Sequence, residues 1–261
     1  MSDETREKPA PPAELEQMIH SQLAEEVRAA AMDRRMTEDL ALTLLTRRDI
    51  QGVVLEELSR NMTVMKHRKV IVGLVCHPRT PRYVSLPITR RLYTFELMKI
   101  AMLPPVPTDV KMLAEEAIMG RLGTISSGER LALAKQGSTR IAAALLLDPE
   151  ARVSEAALLN SRLTEPNVVK GLMRENAPEH FVHAVCRHPK WSLRKEVQIA
   201  LLKNEHTPLS RAVYFAGTLS TVTLRDVIAN ARLRDDVREY VEEEIARRRL
   251  NLTHPREEDS V

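Results

Sequence analysis

A chain of 261 residues could form two compact domains or one long array of small units, and its 43% apolar content, of which aromatic residues are only 3% of the chain, implies an aliphatic core. Eight glycines are too few for the tight hairpins of an all-β fold or the phosphate-cradling loops of a dinucleotide-binding fold. A net charge of +3 with 29% charged residues describes a mixed, well-solvated surface rather than an obligate nucleic-acid binder, and two cysteines, Cys76 and Cys186, make no disulfide framework and suit a reducing compartment.

Residues 1–13 are charged and proline-rich, too poor in apolar groups to offset the entropy of ordering, and are expected to be a disordered tail. The N-terminus lacks the apolar core of a signal peptide, and the longest apolar run, Ile141 to Leu147, falls short of the roughly 18 residues of a membrane span. A soluble, cytoplasmic protein without a membrane segment is expected. Helix starts are predicted near residues 37, 50, 63, 80, 94, 108, 126, 138, 151, 164, 177, 189, 207, 221 and 235. At Thr80-Pro81 and Thr207-Pro208 the hydroxyl is expected to cap free backbone N–H groups, with proline at the first helical position. Ser126-Ser-Gly-Glu129 has the spacing of a capping box. Val110, Ala114 and Ile118 share one helical face, as do Val237, Val241 and Ile245. Helices of only two to three turns are marginal alone and must be held by their neighbours. Residues 251–261 read as a second flexible tail.

Displaced by roughly 127 positions, the chain falls on itself without a gap, with roughly twenty identities over about 95 residues. Val70-Ile-Val-Gly-Leu74 through Thr80-Pro81 meets Val197-Gln-Ile-Ala-Leu201 through Thr207-Pro208, and Leu92 and Arg121 meet Leu219 and Arg248. The expected organisation is a first helical-repeat half over 14–125 and a second over 126–250, continuous with the first. Arrays of this kind usually bind other molecules along an extended surface.

Three turns carry a family resemblance: Asp148-Pro-Glu-Ala-Arg-Val153, His188-Pro-Lys-Trp-Ser-Leu193 and Asn204-Glu-His-Thr-Pro208. Apolar helices joined by such turns resemble the leucine-rich-repeat-variant and HEAT-like group of α-solenoids. The stretch from Ser126 to Arg249 is similar to a set of bacterial helical-repeat proteins of uncharacterised role that carry an Asp-Pro turn, a Trp-bearing turn and an Asn-x-x-Thr-Pro turn in this order. The resemblance implies an all-α fold, an α-solenoid of short stacked helix hairpins, and brings no active site or cofactor.

His180, His183, Cys186 and His188 form the densest set of potential metal ligands, but the positions matching them in the first half are Val53, Glu56, Ser59 and Asn61, and Cys186 sits among Phe181, Val182 and Val185 as a core residue would. No metal site is expected. Trp191, the sole tryptophan, is matched by Val64 and is read as packing between helices, its alternative being a peptide anchor or a stacking platform for a base. Three arginines recur in both halves, Arg35 and Arg162, Arg47 and Arg174, Arg60 and Arg187. They are either repeated caps or ion pairs within each unit, or a row of guanidinium groups reading a ligand. With Trp191 they make the candidate binding surface. No Gly-x-Ser-x-Gly, His-Glu-x-x-His or phosphate loop occurs, so no enzyme is expected. The leading expectation is an interaction scaffold for a protein or peptide. The alternative is a nucleic-acid-binding solenoid similar in architecture to the alkylpurine DNA glycosylases.

Overall fold

Short amphipathic segments, each with apolar residues three and four apart, become helices wherever a neighbour covers that face. A computed structural model describes residues 13–231 and 233–253, leaving aside the side chains of 251–253, and among these residues it contains helices and no strand. Of the two expected tails, residues 1–12 and 254–261 lie outside the described residues. Ala13 opens the first helix and residues 251–253 close the last.

The chain divides into two units, Met1–Thr124 and Ile125–Val261. The first holds α1 (Ala13–His20), α2 (Ala24–Met32), α3 (Glu38–Thr46), α4 (Gly52–Arg60), α5 (Met62–Met65), α6 (Arg68–Cys76), α7 (Arg82–Thr89), α8 (Thr94–Met102) and α9 (Thr108–Met119). The second holds α10 (Ser127–Gln136), α11 (Thr139–Leu145), α12 (Ala151–Leu158), α13 (Glu165–Leu172), α14 (Glu179–Arg187), α15 (Lys195–Leu202), α16 (Leu209–Thr218), α17 (Thr221–Asn230) and α18 (Asp235–Thr253).

In the first unit α1 packs on α2 and α3, α2 on α4, α3 on α6, α6 on α7 and α8, and both α7 and α8 on α9. In the second, α10 packs on α11 and α12, α11 on α13, α12 on α14, α13 on α15, α15 on α16, and both α16 and α17 on α18. Contact between next-but-one helices thus recurs in each unit, and the faces that meet are aliphatic. Leu40, Leu44, Leu55, Leu58 and Leu74 are buried in the first unit, and Val153, Val168, Phe181, Val185 and Leu201 in the second. Each such side chain contributes about 1.5–3 kcal/mol on full burial, which is what holds helices too short to persist alone. Val110, Ala114, Ile118, Val237, Val241 and Ile245 are all buried.

Helix ends explain the scarcity of glycine. No described residue has a positive φ, so the left-handed glycine cap is not used. Helices instead stop on extended residues such as Asp33, Asn61, His77 and His188, whose own N–H returns to the carbonyl three residues back. Their side chains then accept the N–H two or so residues on: Asp33 Oδ1 from Arg35 (2.7 Å), Asn61 Oδ1 from Thr63 (3.1 Å), His77 Nδ1 from Arg79 (3.2 Å) and His188 Nδ1 from Lys190 (3.1 Å). Gly137 is a glycine for another reason, close approach: a Cβ there would lie 2.5 Å from the Leu133 carbonyl oxygen.

Two local expectations need correction. Thr80 and Thr207 do not cap the helix that follows them; α7 and α16 have Pro81 and Pro208 as N-caps. Each hydroxyl donates backwards, to Leu74 O and Leu201 O at 2.6 Å, closing the end of the preceding helix. With proline as the N-cap, the first helical amides that find a partner bond to the proline carbonyl, and the buried hydroxyl turns to a carbonyl at the end of the preceding helix. The helix expected from 189 starts at Lys195, because residues 188–194 form a turn that carries Trp191 inward. The capping box at Ser126 is present in both directions, Glu129 N to Ser126 Oγ at 3.3 Å and Ser126 N to Glu129 Oε2 at 3.0 Å.

Candidate functional site

The three recurring arginines are held differently in the two units. Arg35 forks onto Asp33 (2.8 Å), Arg47 onto Asp49 (2.6 Å), and Arg60 onto Glu56 and, at 3.4 Å, Glu57. Arg47 also donates to Ile19 O (2.5 Å) and Ser21 O (3.0 Å), which makes it a tie between turns. Glu57 is nearly enclosed and is shared with Arg28 at 2.8 Å. Hydrogen bonding to their arginines holds Asp33, Asp49 and Glu57 below the usual carboxylate range.

About 127 positions on, the arginines persist and their partners do not. Asp33, Asp49, Glu56 and Glu57 are matched by Asn160, Asn176, His183 and Ala184. Arg162, Arg174 and Arg187 are exposed, as Arg35 and Arg60 also are, but none of the three has a carboxylate within ion-pair distance among the described residues. Arg162 and Arg187 flank the turns after α12 and α14. Arg174 belongs to the turn after α13, where it lines a groove of about 650 Å³ with Lys203, Asn204 and His206. The structure therefore brings Arg162 and Arg187 to neighbouring turns and leaves Arg174 elsewhere. His180 Nε2 bonds to Asp148 O at 3.1 Å, the position that matches Ser21, and so replaces the tie that Arg47 makes in the first unit.

Trp191 is 1% exposed and offers no ring face to a peptide or base. Its indole N–H donates to Leu158 O at 2.9 Å. In the first unit Asn61 Nδ2 donates to the matching carbonyl, Ala31 O, also at 2.9 Å. His188, which occupies the place of Asn61, keeps the acceptor half of that role, while its Nε2 is buried without a partner. Burial, helped by the neighbouring Lys190, lowers the pKa of His188 and so favours the neutral ring. Among the described residues no three His, Cys, Asp or Glu side chains converge as metal ligands. Burial pushes the Cys186 thiol up to about 11, which makes it inert as a thiolate.

Several structural arginines escaped the sequence reading although their recurrence was visible. Arg121 donates to Leu92 O and Arg90 O, each at 2.6 Å, and Arg248 donates to Leu219 O (2.6 Å) and Gly217 O (2.8 Å). These are matched residues making matched bonds to leftover carbonyls at a helix end. Leu193 and Tyr214 were also passed over; they are 67% and 47% exposed and line a groove of about 470 Å³ with Lys195 and Thr218. No protein-family model matches this chain, and no curated protein or solved structure matches it either.

Proposed function

We propose that the chain is a non-enzymatic helical scaffold of the α-solenoid kind, its second half a copy of its first, that holds a protein or peptide. Helix boundaries support the copying: α2, α3, α4, α6, α7 and α8 begin at 24, 38, 52, 68, 82 and 94, and α12 to α17 at 151, 165, 179, 195, 209 and 221. The recurrent next-but-one packing within each unit supports the solenoid. The observation that carries the binding role is the loss of four carboxylates from beside arginines that were kept. A guanidinium fixed in one unit by its own chain and left open in the other is a group available to something outside the chain.

The test is direct binding by the full chain. Fluorescent peptides of varied charge should bind saturably, and labelled single- and double-stranded DNA should bind more weakly at physiological salt. DNA binding alone, with affinity falling steeply as salt rises, would replace this reading with the nucleic-acid one.

A further inference from the structure

Within the second unit the turn after α12, residues 159–164, and the turn after α14, residues 188–194, contain Arg162, Lys190 and Arg194 and no Asp or Glu. Arg187 ends α14 and Lys195 begins α15, which puts them at the same place in the fold. The two turns are fastened to each other, since Trp191 in one donates to Leu158 O at the edge of the other. Lys190 is pinned outside that contact, its ammonium 3.9 Å from the Trp191 ring centroid. None of these five cations has a carboxylate within ion-pair distance among the described residues; Glu165, Glu179 and Glu196 are the nearest acids in sequence, and Glu179 faces His183 instead. On the other side of the same unit the turns mix Arg174, Lys203 and Arg234 with Asp148, Glu150, Glu175, Glu205 and Asp235, so turns free of acids belong to one edge and mixed turns to the other.

Arg194 and Lys195 stand at the N-terminus of α15, where the helix dipole disfavours a cation and Glu196 is the one acid of the first turn, and the N-cap Arg194 makes no side-chain cap bond. An anion arriving there would relieve both conditions at once. The same turn continues into the groove of about 470 Å³, whose lining includes Leu193, Lys195, Gln198, Tyr214, Thr218 and Ser220. Gln198 fixes that continuity, donating to Ser192 O at 2.9 Å and accepting from Thr218 Oγ1 at 3.2 Å.

We infer that this edge, from Arg162 through Lys190 and Arg194 to the Leu193 and Tyr214 groove, is the docking surface for an extended acidic peptide that carries one large apolar side chain. The inference rests on the scaffold reading above and names the partner chemistry for it. Carboxylates meet the unpaired cations along the turns, and the apolar side chain enters the groove. Packed helices lie about 8–10 Å apart and an extended chain rises about 3.3 Å per residue, so two steps along the edge take about six residues. A nucleic-acid strand fits less well, because Trp191 is buried and Tyr214 in the groove is a single exposed ring rather than a row of stacking platforms.

The experiment titrates the full chain into three labelled peptides of about eight residues: glutamate-rich with one leucine, the same with glutamines for glutamates, and the same with glutamine for leucine. A labelled oligothymidine of similar length is the fourth probe. The acidic leucine peptide should bind best, and Arg162→Glu/Arg194→Glu/Lys195→Glu should weaken it by at least about tenfold. Arg174→Glu/Lys203→Glu/Arg152→Glu, with the same change of net charge on the opposite edge, should weaken it by less than about threefold, and far-UV circular dichroism checks that both variants fold. Leu193→Ser should reduce the advantage of leucine over glutamine in the peptide. Equal losses in the two charge variants, or tighter oligothymidine than acidic peptide, overturn the inference. Binding of the glutamine peptide that ignores the edge variants overturns it while leaving the scaffold reading in place; failure of all three peptides beside binding of oligothymidine removes both.

Discussion

Replacing Trp191 with Phe keeps a ring in the core and deletes one donor. The Leu158 carbonyl then loses the indole N–H that lies 2.9 Å from it, inside a region where Trp191 is 1% exposed. A buried acceptor left without its donor costs about 1–3 kcal/mol. The smaller ring leaves a space of about 40 Å³, worth about 1 kcal/mol at the usual cost per unit of cavity volume. Together they predict a loss of about 2–4 kcal/mol, to be read from urea unfolding followed by far-UV circular dichroism. With a slope of about 2–3 kcal/mol per molar urea, the transition that reports the second unit should move down by about 1 M. Hydrogen exchange should place the loosening at the end of α12 and in the 188–194 turn. An unchanged midpoint with unchanged exchange at α12 would show that the carbonyl does not depend on the indole, and the account of how His188 and Trp191 share the work of Asn61 would fail.

Arg248→Ala removes bonds to Ala216 O, Gly217 O and Leu219 O, and at about 1 kcal/mol each it should lower stability by about 2–3 kcal/mol in chemical denaturation, with Arg121→Ala somewhat milder. Gly137→Ala brings a Cβ to 2.5 Å from Leu133 O, so it should be destabilising although alanine favours helices elsewhere, and a gain in thermal midpoint would refute the close-approach argument. Asp33, Asp49, Glu57 and Glu96 in the first unit are held low, as are Glu150 and Asp236 in the second. Stability from such groups is complete above their unfolded pKa and lost as pH falls through the folded one, so hydrogen exchange below about pH 4 should loosen the first unit before the second. Burial raises Cys76 and Cys186 from 9.0 to about 11. Unfolded thiols ionise first, so stability should fall as pH rises from 9 towards 11; at neutral pH the buried Cys186 should react with a disulfide reagent more slowly than the partly exposed Cys76, and both more slowly than in the unfolded chain.

The helical class was legible because periodic apolar positions and capping residues are local signals: Val237, Val241 and Ile245 face inward, and Ser126 caps as its spacing implies. What was not legible depended on which of two satisfactory partners a group would choose. Thr80 could have served either helix beside it, and the carbonyl of Leu74 won. The turn at 188–194 looked like a helix start because His188-Pro189 is a plausible one, and only the reach of Trp191 to a carbonyl 33 residues earlier reveals why it is not. The contrast between the arginines of the two units was written in the chain from the outset. It could not be interpreted until the structure identified Asp33, Asp49, Glu56 and Glu57 as the groups that neutralise Arg35, Arg47 and Arg60, since many acids lie as close in sequence.

Nearly all the side chains that fasten one helix end to another donate towards the N-terminus. Asn61 reaches Ala31, His77 reaches Arg47, Arg121 reaches Leu92, Asn160 reaches Ala134, Trp191 reaches Leu158, Asn204 reaches Leu172 and Arg248 reaches Leu219, with Thr139 to Arg162 as an exception. A ribosome delivers the carbonyls first and the donors some thirty residues later, so within each unit a newly emerged helix end finds its acceptors already in place. The same polarity makes trimming asymmetric: removing the last layer strips donors from carbonyls that water can reach, whereas removing the first strands the donors of every turn that was waiting for it.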